Sequence, residues 1–118
     1  MVRIIEKEAS CLGDKIYLKA VLTSEGITVS LAGGHKAHIG AVAVCDPAGL
    51  VSLHAFPGHK EGVLAESFAK KIFENTRYPV VVSAGIHYDN ISPKGIEKVL
   101  AACNSLLSKF LGELDIIS

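Results

Sequence analysis

The chain has 118 residues, enough for one domain (1–118) with a single hydrophobic core and no need of disulfide or metal staples. Apolar residues make up 49% and charged residues 20% of it, which excludes a disordered chain. Twelve basic side chains balance twelve acidic ones, so no general attraction to nucleic acid or anionic lipid is expected, and any anion site has to be local.

Taken in order, residues 2–11 alternate only partly and predict a first strand, ended by the turn Leu12-Gly13-Asp14. Lys15 to Thr23 is β-branched and aromatic enough for a second strand. After the turn Ser24-Glu25-Gly26, the strict alternation of Ile27 to Leu31 marks a half-buried third strand. Short turns between these strands imply antiparallel hairpins. Gly33 and Gly34 then open a polar loop holding His35, Lys36 and His38. Ile39 to Cys45 is small and apolar, as a central strand buried on both faces would be.

Asp46-Pro47-Ala48-Gly49 reads as a turn and Leu50 to Phe56 as a strand carrying His54, ended by Pro57-Gly58. From Glu61 the period becomes helical, with Val63, Leu64, Phe68, Ile72 and Phe73 on one stripe, and Asn75-Thr76-Arg77 closes the helix. Tyr78 to Ala84 is a short, very apolar strand, expected at the sheet centre and broken by Gly85. Ser92 as cap and Pro93 at the first helical position start a second helix. Its apolar stripe runs from Ile96, Val99, Leu100 and Cys103 to Leu114, broad enough to cover a sheet face or a partner subunit. The order β-β-β-β-β-α-β-α predicts an α+β fold: an antiparallel-rich sheet with two helices packed on one face. The other face would be hidden by a second copy, so a homodimer is expected.

Cys11, Cys45 and Cys103 are odd in number and set far apart among apolar neighbours, which fits reduced, buried thiols. Arg3, Glu6, Lys7 and Glu8 interrupt the start of the chain, so no signal peptide is expected there. No apolar run is long enough to span a membrane, and a cytoplasmic protein is the expectation.

Four of the five histidines fall in three glycine-containing stretches: His35 and His38 after Gly33-Gly34, His59 in Pro57-Gly58-His59-Lys60, and His87 in Gly85 to Asn90. The second stretch precedes a helix, where backbone N–H groups and Lys60 would favour an anion. Lys36 would add a second positive charge, and glycines at 33, 34 and 58 would let backbone approach a phosphate closely. Each stretch also has an ordinary reading. Gly33-Gly34 alone is a turn, Pro57 to Lys60 a strand-to-helix connection, and His87, Asp89 and Asn90 a locally hydrogen-bonded bend. The coincidence of glycine and histidine in all three favours one pocket. Two further readings compete. His35-x-x-His38 with His59 or His87 could ligate a metal, but without nearby cysteines the spacing is weak. A histidine near Asp89 could act as a base with Cys45 or Ser52 as nucleophile, but no nucleophile elbow, carboxylate pair or dinucleotide fingerprint supports catalysis.

The stretches Gly33-Gly-His-Lys-Ala-His-Ile-Gly-Ala-Val-Ala43, Pro57-Gly-His-Lys-Glu61 and Gly85-Ile-His-Tyr-Asp-Asn90 resemble those of the small D-type subunits of gallate-type hydroxyarylic acid decarboxylases. The resemblance covers most of residues 30–115. It implies a prenylated-flavin chaperone with a proteasome-assembly-chaperone-like fold. Such a protein is not an enzyme; it carries prenylated FMN or FMN as cargo from a flavin prenyltransferase to a decarboxylase of aromatic or unsaturated acids. Under this reading Lys36, Lys60 and the N–H groups of Gly33, Gly34 and Gly58 hold the phosphate. His35, His38, His59 and His87, with Asn90, meet the polar edge of the flavin. Three alternatives accompany it: a permanent structural subunit of the decarboxylase, a protein-assembly chaperone without a small ligand, and a histidine-loop metal binder.

Overall fold

In a computed structural model that describes residues 2–58 and 61–117, with side chains as far as Leu114, six strands and two helices follow in the order β-β-β-β-β-α-β-α. They are β1 (Arg3–Cys11), β2 (Asp14–Leu22), β3 (Ile27–Gly34), β4 (Ala41–Cys45), β5 (Val51–Ala55), α1 (Gly62–Thr76), β6 (Val80–His87) and α2 (Pro93–Ile117). The sheet order is β1-β2-β3-β6-β4-β5, and every pairing is antiparallel except β3 with β6. The fold is α+β and antiparallel-rich, as the sequence pattern requires. The single parallel pair exists because the chain leaves β3, builds β4, β5 and α1, and returns as β6 into the gap between β3 and β4.

Local chemistry explains the elements. Leu12 and Gly13 both take positive φ (50° and 83°), the two-residue hairpin turn whose twist suits the strands it joins. Asp46 closes the β4–β5 turn by accepting the N–H groups of Ala48 and Leu50, each at 2.9 Å. Helix α1 ends where Arg77 turns left-handed (φ 64°) and returns its N–H to the Phe73 carbonyl at 2.7 Å. At the start of α2 the Ser92 hydroxyl accepts the N–H of Gly95 at 3.0 Å.

The core lies on one face of the sheet. Ile16, Leu18, Val29, Leu31, Val82 and Ala43 alternate inward, and Phe68 of α1 and Phe110 of α2 are fully buried against them. Helix α1 covers β4, β5 and β6, while α2 covers β1 and β2. A Lys7–Glu113 ion pair fastens β1 to α2. Cys11, Cys45 and Cys103 are free and buried; burial pushes the Cys103 thiol up to about 12. No helix among the described residues is long and apolar enough to cross a membrane.

Three elements differ from the sequence reading. Strand β3 runs three residues further, so Gly33 and Gly34 end a strand instead of opening a loop. Strand β4 is not buried on both faces: Val44 is exposed while Ala41, Ala43 and Cys45 are buried, and the innermost strands are β3 and β6. Gly85 does not break β6, which continues to His87. A Cβ at Gly85 would lie 1.6 Å from the His38 carbonyl oxygen, so glycine there lets the segment between β3 and β4 cross the strand at contact distance.

Candidate functional site

The register places three connections at one end of the sheet. Gly34 pairs with His87 across β3 and β6, Ala41 pairs with Ala84, and Ala55 pairs with Ala41. The segment 35–40 is tied down onto β6 by backbone hydrogen bonds: His35 N–H to the His87 carbonyl at 2.7 Å and Gly40 N–H to the Ala84 carbonyl at 2.8 Å. The Phe56 N–H reaches the Gly40 carbonyl at 2.8 Å, which brings the β5–α1 connection alongside. His59 and Lys60 lie outside the described residues.

Within this end the histidines divide into two groups. His35 is held on one side: its Nδ1 accepts the Asp89 N–H at 3.0 Å, its Nε2 faces Asp14 at 3.5 Å, and its ring meets Tyr88 edge-on at 5.0 Å. His38 and His87 lie together on the other side, with ring centroids 6.4 Å apart. The Nδ1–H of His38 donates to the Lys36 carbonyl at 3.2 Å, and its Nε2 faces the Glu61 carboxylate at 3.0 Å. The Nε2–H of His87 donates to Asp89 at 2.8 Å. That hydrogen bond, with smaller contributions from the charges of His87 and His35, holds the Asp89 carboxyl below the usual carboxylate range.

Tyr88 is a wall and an anchor, not an exposed ring. It is buried, and its hydroxyl donates to the Cys11 carbonyl at 2.7 Å, pinning the end of β6 to the β1–β2 corner. Burial, followed by the Cys11 contact, pushes its phenol up to about 12. Asn90 is exposed and turns the chain with φ 52°. Lys36 is exposed on the loop beside His87, while Gly58, at φ 81°, lies in the β5–α1 connection. Gly33 and Gly34 have a packing task, since a Cβ on either would lie 2.3 Å from a carbonyl oxygen, of Lys15 and His87 respectively.

Between the two helices lies a cleft of about 390 Å³, within the range of small-molecule pockets. Its polar end holds Gly58, Glu61 and His87. Its remaining walls are the Tyr88 ring and aliphatic side chains: Leu64 from α1, Ile86 from β6, Ile91 from the loop, and Ile96, Val99 and Leu100 from α2. A larger hollow of about 530 Å³ lies on the open sheet face between charged strand residues such as Glu6 and Lys19, and none of the loop residues lines it. The cleft is therefore the candidate site. The sequence reading missed its aliphatic half. The available signal was the α2 stripe, which extends to Ile96 and Leu100 even though both are nearly half exposed in the fold.

Among the described residues, no three His, Cys, Asp or Glu side chains are arranged to hold a metal ion. The nucleophile candidates are also poorly placed: Cys45 is fully buried, with its thiol pushed up by that burial, and Ser52 points from the edge strand β5 on the exposed side.

With this geometry in hand, comparison with known proteins gives two findings. The family model of the prenylated flavin chaperone LpdD-like domain matches residues 10–115. A chain from the crystal structure of a novel chaperone complex for yeast 20S proteasome assembly superimposes with a TM-score of 0.60 at 19% identity, over 98% of this chain and 96% of that one. That likeness is one of fold. No curated protein matches the chain.

Proposed function

Since the chain belongs to the prenylated flavin chaperone LpdD-like family, we propose that it is a non-catalytic cytoplasmic carrier of prenylated FMN. In this reading it receives the flavin from a prenyltransferase and delivers it to a decarboxylase of aromatic or unsaturated acids. The observation that carries the reading is the amphipathic cleft between α1 and α2, which lies beside the histidine loop and is polar at one end and aliphatic along its walls. A flavin mononucleotide has the same division, with a hydrogen-bonding pyrimidine edge, a charged phosphate tail and a largely apolar ring system.

We assign roles to the loop residues from their chemistry and their place in the sequence. Lys36 and Lys60, with backbone N–H groups of Gly33, Gly34 and Gly58, supply the phosphate site. His38, His59 and His87 meet the polar edge of the flavin, with Asn90 as an amide partner. His35, paired with Asp14 and Asp89, steadies the loop behind them. A carrier must also let go, and an open cleft bounded by side chains suits transfer better than an enclosed cavity. The protein acts as a homodimer in this proposal.

The test is transfer. The protein is loaded anaerobically with prenylated FMN, freed of unbound ligand by gel filtration, and added to a decarboxylase prepared without cofactor. Decarboxylation should appear with the loaded protein and be absent with the loaded protein alone. Failure to retain the flavin through the column, or retention without transfer to the decarboxylase, would remove the carrier reading.

A further inference from the structure

We propose that the aliphatic wall of α2, formed by Ile96, Val99 and Leu100, seats the ring that prenylation adds to the flavin and so distinguishes the prenylated cargo from unmodified FMN. This rests on the carrier reading above and assigns the binding orientation within it.

The exposure of these side chains is the first support. Further along α2, Cys103, Leu106, Leu107 and Phe110 are buried on the sheet, as an amphipathic helix requires. Ile96 and Leu100 continue the apolar stripe at i, i+4 spacing but remain 48% and 44% exposed, facing the cleft with Val99 between them. Two large aliphatic side chains left half in water beside a cavity lose the stabilisation that covering them would supply.

Chemistry then fixes the orientation. The five-carbon addition bridges N5 and C6 on one long edge of the isoalloxazine, and the ribityl phosphate leaves N10 on the opposite edge. A cleft with one apolar wall can bury the first edge while leaving the second at the opening, in water. The reverse orientation would put a phosphate against aliphatic carbon. The polar end agrees, since the Glu61 carboxylate suits the N3–H donor of the pyrimidine ring.

The same wall disfavours unmodified FMN. Its N5 is a hydrogen-bond acceptor, and against Ile96, Val99 and Leu100 it would lose water without gaining a donor. In the prenylated flavin that nitrogen is alkylated and its edge is covered with carbon. One surface therefore favours the product of prenylation and penalises its precursor.

The experiment compares anaerobic calorimetric titrations of prenylated FMN and FMN into the wild-type protein and the variants Ile96→Asn/Leu100→Asn and Leu100→Phe, with circular dichroism as the control for folding. The wild type should prefer prenylated FMN by at least about tenfold. The double variant should lose most of that preference through weaker binding of the prenylated form, with FMN changed less than about twofold. Leu100→Phe, which keeps an apolar wall but narrows it, should weaken the prenylated form more than FMN. A folded double variant that keeps the full preference would overturn the inference while leaving the carrier reading standing. Equal loss of both ligands together with a change in molecular mass would also overturn it, by making this helix face a subunit contact. A wild type that binds neither flavin would remove both readings.

Discussion

At Gly85 the chain tolerates no side chain. The Cβ of an alanine would lie 1.6 Å from the His38 carbonyl oxygen and 2.9 Å from the Ile39 nitrogen, both backbone atoms that cannot rotate away. Gly85→Ala must therefore lift the histidine loop off β6 and break the hydrogen bonds that tie it there. A loss of at least about 2 kcal/mol is expected in urea unfolding, together with loss of flavin binding. Gly112 is the counter-case: it lies in α2, and a methyl group added there would meet nothing within 4 Å. There Gly→Ala should stabilise by about 1 kcal/mol and leave binding unchanged. The sequence pattern marked Gly33 and Gly34 as opening a loop and Gly85 as breaking a strand, whereas all three lie within strands at close backbone approaches. Their neighbours, Lys15, His87 and His38, are distant in sequence or across the sheet, and such close approaches are visible only in three dimensions. The same holds for His35 and His38, three residues apart in one loop, which the fold sends to different partners.

The two helices were the most legible elements, because each combines a helical apolar period with a chemical stop or start. For α2 the start is Ser92 and Pro93, and the Ser92 hydroxyl takes the Gly95 N–H in the fold. Ser92→Ala should cost about 1 kcal/mol in denaturant unfolding. Because that end of α2 carries the cleft wall, faster amide exchange should be confined to its first two turns. Uniform acceleration along the helix would contradict a local capping role. The strands were legible as strands but not in their ends. The polar loop residues and glycines that follow Leu31 and Ala84 resemble terminators, yet β3 and β6 extend together to Gly34 and His87 because each supplies the other's hydrogen-bonding partner. The central place of β6 was legible from its apolar run, but its insertion between β3 and β4 was not, since sequence neighbours alone suggest a meander.

For the molecule as a whole, the uncovered face of the sheet is the feature left to account for. Both helices sit on the other side, so Thr28, Ser30, Val42, Val44, Val81 and Ser83 line the centre of an open surface, with no charge among them. Charged residues Glu6, Glu8, Lys15 and Lys19 collect on the β1–β2 flank, where they pair across the strands. An uncharged, partly apolar centre with a charged margin is the anatomy of a protein interface. A second copy meeting it face to face would cover Val42, Val44 and Val81 at once, at the ordinary spacing of stacked sheets. Sedimentation equilibrium should then give twice the 12.5 kDa of one chain. Val44→Asp with Val81→Asp would place paired charges in the middle of that contact, and the variant should sediment as a folded monomer. Flavin binding provides the discriminating second readout. The α1–α2 cleft lies on the opposite side of the sheet, so a monomeric variant that still binds flavin would show that each chain carries a complete site. A wild type that is monomeric at micromolar concentration would leave the open face without a copy of itself to cover it.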